Sequence, residues 1–135
     1  LSSIGNIRAS SSTYETEPWG NPNQDSFYNQ ILELETEMTA YEFFDNCKLI
    51  EKQAGRVENE HWGPRLIDID IIFFGNKSIF SPDLIIPHRR MHERKFILIP
   101  MVEINPFFIH PVLKLSCKEL LDICPDNGQV KMIKS

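Results

Sequence analysis

The sequence predicts an α+β domain, on three observations. Thr39, with Glu42 three residues on, makes a capping-box signature ahead of an apolar stripe at helical spacing, Ala40, Phe43, Phe44, Cys47, Ile50 and Ala54. Residues 66–74 form an apolar run interrupted only by Asp68 and Asp70, with the length and composition of a buried strand. Residues 27–35 intersperse large apolar residues with polar ones, and a period of two places Phe27, Asn29 and Ile31 on one face.

The elements follow in order. Residues 1–7 read as the end of a helix, and 10–16, rich in Ser, Thr and Tyr, as a strand. Residues 17–26 contain Pro18, Gly20, Asn21, Pro22 and Asn23, too broken for regular structure and too long for a tight turn, so a mobile loop is expected there. The strand over 27–35 comes next. The helix over 40–54 stops at Gly55, and 56–61 is a polar loop. Gly75 and Asn76 end the strand over 66–74. Beyond Pro87 and a basic stretch, 96–99 reads as a short strand, Ser116 with Glu119 caps a short helix, and 130–133 forms a last strand. The chain contains no internal repeat and no low-complexity tract.

At 135 residues the chain fits a single domain over 1–135, long enough to bury a core without disulfides or a structural metal. Its apolar and charged fractions, 41% and 24%, are those of an ordinary soluble protein, and no apolar run is long enough to span a bilayer. Three cysteines, Cys47, Cys117 and Cys124, lack metal-ligand spacing, and no targeting segment opens the chain, so a reducing, cytoplasmic home is expected. The net charge of −5 argues against wrapping nucleic acid, which requires many Lys and Arg side chains. An anionic ligand must instead meet a local cluster. Arg89, Arg90, Arg94 and Lys95 supply one, whereas the acidic stretches at 33–37 and 58–60 read as solvated faces.

In a strand, Asp68 and Asp70 point the same way, with Cα atoms ~6.6 Å apart from a rise of ~3.3 Å per residue. Both carboxylates can then reach one ion. Ile67, Ile69, Ile71 and Phe73 face the other side and anchor the strand. Unpaired carboxylates at the edge of an apolar environment are costly. Magnesium, usually held by one or two carboxylates plus substrate phosphates, offsets that cost. A structural network with Arg65 would do the same, and the pair alone does not separate the two.

The flanking residues do. Trp62-Gly63-Pro64-Arg65-Leu66-Ile67-Asp68-Ile69-Asp70-Ile71-Ile72 resembles, almost position for position, the signature of the 6-hydroxymethyl-7,8-dihydropterin pyrophosphokinases. Upstream, 14–20 followed by Gln24, Phe27 and Asn29 is similar to that family's pterin-side segment, and Glu51, Gly55 and Arg56 follow. Downstream, Pro87-His88, residues 90–94 and Phe96-Ile97-Leu98 resemble its nucleotide and pterin segment. The acidic 57–60 departs from the family, many of whose members carry a further basic residue there, which shifts phosphate contact onto Arg65 and Arg94.

The resemblance implies a ferredoxin-like sandwich, an antiparallel sheet with helices packed on one face. It also implies transfer of pyrophosphate from ATP to the hydroxymethyl group of the reduced pterin, releasing AMP, as a step of folate synthesis. Asp68 and Asp70 would hold two Mg2+ ions, with Arg56, Arg65 and Asp70 as the catalytic set. Glu51, Trp62, Arg65, His88, Arg90 and Arg94 would bind ATP. Thr16, Pro18, Trp19, Phe27, Asn29 and Phe96 would bind the pterin, the rings stacking on its faces and the amide reading its edge. Each has a plainer reading: single arginines, His88 and His92 are ordinary surface groups, Glu51 a solvated carboxylate, and the aromatics core.

The family begins with a strand, a Gly-Ser-Asn loop and a helix, whereas this chain starts near the end of that helix, so its first strand is expected to be missing. A sheet so opened would leave backbone groups unpaired and invite self-association through the gap. Two rivals remain. One is a noncatalytic pterin- or nucleotide-binding remnant. The other is a metal-dependent glycosyltransferase using Asp-x-Asp, which needs a larger nucleotide domain. The glycine-rich phosphate loops of P-loop and dinucleotide-binding proteins are absent.

Overall fold

The computed structural model describes residues 3–16, 27–58 and 67–134, with the side chains of 55–58 and 134 outside the description. Among these residues the elements are β1 (Asn6–Ser10), β2 (Thr13–Thr16), β3 (Phe27–Asn29), β4 (Leu32–Glu35), α1 (Ala40–Glu58), β5 (Ile79–Phe80), β6 (Ile85–Ile86), a 3-10 turn (Met91–Glu93), α2 (Lys95–Ile104), α3 (Cys117–Asp122) and β7 (Val130–Lys134). Helices and antiparallel pairs in one chain make it α+β. The loop expected over 17–26 lies outside the described residues.

Two arms of a hairpin are bent at one level. β1 pairs with β4, and β2 pairs with β3, both antiparallel. Between them Ser11 and Ser12 face Gln30 and Ile31. Ser11 N–H donates to Ile31 O at 2.8 Å, and Ile31 N–H donates to the Ser11 hydroxyl at 2.9 Å. Gln30 Nε2 donates to Ser11 O at 2.9 Å. Buried backbone groups that leave a ladder need such partners. The expected single strand over 27–35 is therefore two strands, and the expected strand over 10–16 is cut at the same bend. Residues 6–10 are strand, not the end of a helix, because β4 offers them a pairing edge. Gly5 allows the close entry, since a Cβ there would meet Glu35 O at 2.8 Å.

The start of α1 is as expected. Glu42 N–H donates to the Thr39 hydroxyl at 3.1 Å, and Thr39 N–H donates to the Glu42 carboxylate at 2.8 Å. Its end is not, for the helix runs through Gly55 and Arg56 to Glu58. A glycine inside a helix costs about 1 kcal/mol, which the roughly four turns of packed helix before it can absorb. The cap of α3 is the full capping box of Ser116 and Glu119, and β7 also stands as expected.

Residues 96–99 are helix, not strand. α2 buries Ile97, Leu98, Pro100 and Met101, and packs on α3 and the 3-10 turn. A short apolar run with an internal proline has no period that separates the two forms, so packing decides. Residues 67–74 run from Ile67 without joining a ladder, and Gly75, at φ 57°, turns them back. The strand expected over 66–74 is thus a connecting stretch among the described residues.

The core has three parts among the described residues: Ala40, Leu84 and Ile86 form one, and the other two flank residues 67–74. Met91, Ile97, Leu98 and Leu120 form the first of these two, with Ile31, Ile72 and Phe73 against it. Ile4, Phe43 and Cys47 form the second, with Leu34, Ile69, Ile71 and Phe74 against it. The stretch 67–74 therefore lies between them, and its period of two breaks after Ile71, where Ile72 and Phe73 both go to the first core. An open groove of about 670 Å³ runs along it, bounded on the other side by β4 and the residues just before it.

The α2 helix is fastened to the hairpin bend by one carboxylate. Glu103 accepts Ser12 N–H at 3.0 Å, the Ser12 hydroxyl at 2.7 Å and the Tyr14 hydroxyl at 2.7 Å. The Tyr14 hydroxyl, then Ser12, holds the Glu103 carboxyl below its ordinary 4.5. A folded value below the unfolded one means that this stabilisation is complete above about pH 4.5 and is lost as pH falls through the lower folded value. Burial first, and Glu103 after it, pushes Tyr14 from 10.0 up to about 12, so its share is present below pH 10 and lost as pH rises through about 12. Glu103→Ala is expected to cost about 1 kcal/mol, the low end for charged hydrogen bonds because the side chain is exposed. Thermal melts from pH 3 to 7 should show a shallower acid loss than in the parent; an unchanged pH profile would remove Glu103 from this role.

Candidate active site

Asp68 and Asp70 are both exposed, while Ile69 between them and Ile71 after them are partly buried against the second core. The alternation expected of the pair holds locally, although no ladder enforces it. A carboxylate does so instead. Glu51, buried on α1, accepts the Ile69 N–H at 2.5 Å and pairs with Lys48 at 3.3 Å. This pins the backbone between the two aspartates to the helix. Glu51 lies within α1 rather than at its end, and its carboxylate faces a backbone N–H rather than open solvent.

The other side of the site enters after Pro87. His88 N–H donates to Ile72 O at 2.9 Å, which ties this segment to the aspartate stretch. His88 Nδ1 accepts Arg90 N–H at 3.2 Å, which leaves Nε2 to carry the imidazole's proton when the ring is neutral. Burial, reinforced by Arg94, holds His88 below its ordinary 6.5, with Asp70 opposing. Asp70 and Arg94 are therefore both electrostatic neighbours of His88. Arg90 is exposed and pairs with Glu93 at 2.8 Å, and the Arg94 guanidinium lies 5.8 Å from the centre of the Phe96 ring. His92 stands 4.0 Å from Glu93.

On β2 and β3, Thr16 is opposite Phe27 and Tyr14 opposite Asn29. Asn29 Nδ2 donates to the Thr16 hydroxyl at 3.3 Å. Phe27 is 52% exposed, so its ring is free to meet a ligand rather than being core. Phe96 is half-buried against the first core. Thr16, Phe27 and Asn29 are thus gathered. Pro18, Trp19, Trp62 and Arg65 lie outside the described residues, and Arg56 is placed only as backbone within α1.

Among the described residues there is no group of three or more His, Cys, Asp or Glu side chains able to hold an ion unaided. Two exposed carboxylates on a stretch anchored from behind do fit a hard cation that takes its remaining ligands from phosphates and water.

Three carboxylates hold backbone groups that the sequence does not announce. Glu51 reads there as a ligand or a solvated carboxylate, because nothing local shows that Ile69 needs an acceptor. Glu103 acts across 91 residues on Ser12 and has no local signature. Asp126 does carry one, the turn sequence Pro125-Asp126-Asn127-Gly128.

An α+β domain that presents two exposed carboxylates, with Asp70 and Arg94 both near His88, is what these residues build. The chain belongs to the 7,8-dihydro-6-hydroxymethylpterin-pyrophosphokinase family, whose model matches residues 1–106. It is 41% identical over 100 residues to the 2-amino-4-hydroxy-6-hydroxymethyldihydropteridine pyrophosphokinase of Methylorubrum extorquens, covering 74% of this chain and 63% of that protein. The enzyme of the same name from Aquifex aeolicus is 38% identical over 113 residues, covering 84% of this chain and 71% of that one. The folic acid synthesis protein FOL1 of Dictyostelium discoideum is 39% identical over 127 residues, 94% of this chain but 19% of that protein. The chain thus spans less than two thirds of the length of several relatives.

Proposed function

We propose that the protein transfers pyrophosphate from ATP to 6-hydroxymethyl-7,8-dihydropterin, giving the pterin diphosphate and AMP, in cytoplasmic folate synthesis. The observation that supports this reading is that Asp68 and Asp70 are exposed on a stretch pinned by Glu51, with Asp70 and Arg94 both near His88. The noncatalytic remnant is not favoured, because both carboxylates and the cationic cluster remain presented. AMP release measured with and without the reduced pterin tests the two: release that requires the pterin supports transfer, and none under saturating substrates overturns it.

In this reading the pterin hydroxyl oxygen attacks the β-phosphorus, the bond from that phosphorus to the bridging oxygen breaks, and AMP leaves with that oxygen. Asp70 accepts the hydroxyl proton. Two magnesium ions held by Asp68 and Asp70 would neutralise the phosphate oxygens. His88, Arg90 and Arg94 hold the phosphates, guanidinium forks suiting phosphate oxygens, and Arg56 and Arg65 contact the moving group. Trp62 contributes to the nucleotide site. Positioning and charge then carry most of the acceleration. Glu51 serves this site through the Ile69 backbone it holds.

Thr16, Pro18, Trp19, Phe27, Asn29 and Phe96 form the pterin side. Phe27→Ala and Phe96→Ala are each expected to weaken pterin binding by ~1–2 kcal/mol through lost stacking. Titration calorimetry with the pterin reads this directly, and unaltered affinity in both variants would place the pterin elsewhere.

The finer architecture we propose is a ferredoxin-like sheet, in one domain, completed by an extended strand in the groove between β4 and residues 67–74. Among the described residues β4 pairs only with β1 and 67–74 enters no ladder, so both keep backbone groups outside any ladder beside the groove they line. A strand seated there would send alternate side chains into the two cores on either side. Residues of the same polypeptide outside Leu1–Ser135 are the proposed occupant, in keeping with the longer relatives. Without it, the same edges would recruit a second copy.

A further inference from the structure

The helix α2 opens without help from its own neighbourhood. Its cap residue, Arg94, is extended at φ −131° and ψ 111°, makes no side-chain capping bond, and is followed by a first turn with no acidic residue. The first amides of a helix have no partner within it. Here the partner comes from 31 residues further along: Asp126 Oδ2 accepts Lys95 N–H at 3.0 Å. The other oxygen, Oδ1, accepts Gly128 N–H at 2.7 Å. Two backbone donors, one to each oxygen, fix this half-buried carboxylate. Those two bonds, joined by the charges of Lys95 and Arg94, hold its carboxyl below the ordinary 3.8.

What Asp126 fastens is the point where the chain presents Arg94 and Phe96, one residue either side of Lys95. The Arg94 side chain is exposed, so few packing contacts restrain it apart from its own backbone and the Phe96 ring. A cation that must meet a phosphate is useful only when held close to the right geometry.

We propose that Asp126 is a positioning residue for the nucleotide site: by capping α2 from the loop after α3, it sets the backbone at 94–96 and with it the place of the Arg94 guanidinium. This rests on Arg94 being a phosphate ligand.

The test is steady-state kinetics of the intact enzyme, with a melting curve for each of Arg94→Ala, Asp126→Ala, the double variant and Asp126→Asn. Arg94→Ala should raise KM for ATP by about 10-fold or more. Asp126→Ala should raise it roughly 5-fold with kcat changed less than about 2-fold, and should add nothing to Arg94→Ala in the double variant. Asp126→Asn should fall between, since its amide has a single acceptor oxygen for two N–H donors; it carries the same comparison if Asp126→Ala does not fold. Multiplying effects in the double variant, or an unchanged KM in folded Asp126 variants while Arg94→Ala raises it, would overturn the positioning role. An unchanged KM in Arg94→Ala would instead overturn Arg94 as a ligand, and the role of Asp126 with it.

Discussion

Asp68→Ala and Asp70→Ala are each expected to abolish magnesium-dependent ATP binding and to lower kcat/KM by about 10³-fold or more, while the melting temperature stays that of the parent. The two halves of this result have separate causes. Both carboxylates are exposed, so truncating them opens no cavity in the core. The stretch stays anchored by Ile69 and Ile71 in the second core, and Glu51 still accepts the Ile69 N–H. On the proposed assignment, however, each variant loses one of the two carboxylates that would hold a cation against the phosphates. Equilibrium titration with ATP, with and without magnesium, separates binding from turnover. Nucleotide affinity unchanged in both variants would sink the assignment of the pair.

The second large effect concerns the groove. A polypeptide of Leu1–Ser135 alone is expected to self-associate and to turn over weakly, and one extended to include an apolar strand that fills the groove to be monomeric, active and several kcal/mol more stable. Each large apolar side chain such a strand buries contributes about 1.5–3 kcal/mol, against about 1–2 kcal/mol per residue for ordering its backbone. The surplus comes from bridging two cores at once, since Leu34, Ile69 and Ile71 lie on one side and Ile31, Ile72 and Phe73 on the other. Sedimentation and AMP release on both polypeptides measure this. Full activity from the shorter one as a monomer, with nothing in the groove, would show the sheet to be organised otherwise.

How much could be read beforehand depended on the range of the interactions involved. The starts of α1 and α3 were legible because a capping box is a contact over three residues, and both Thr39–Glu42 and Ser116–Glu119 close as their spacing requires. The turn at Gly75 and the strand β7 were legible for similar local reasons. The long run around Asp68 and Asp70 identified the family, because a run of that length is not met by chance. The upstream resemblance grouped Thr16 with Asn29, and the two meet across β2 and β3, where Asn29 Nδ2 donates to the Thr16 hydroxyl.

What the tertiary structure alone decided lies where distant groups compete with local pattern. The apolar run after Lys95 became helix because α3 and the 3-10 turn receive its face and Asp126 caps its start, none of which its own residues announce. The strand over 27–35 broke at Gln30 and Ile31 because Ser11 supplies the hydrogen bonds that a continuous ladder would have used. The helix α1 outran Gly55, since one weak residue does not end a packed helix. Sequence by itself determined the family, through the identity and spacing of the residues around Asp68 and Asp70. Only the fold decided which backbone groups Glu51, Glu103 and Asp126 hold, because the N–H that each accepts from a distant segment cannot be read from the residues around it.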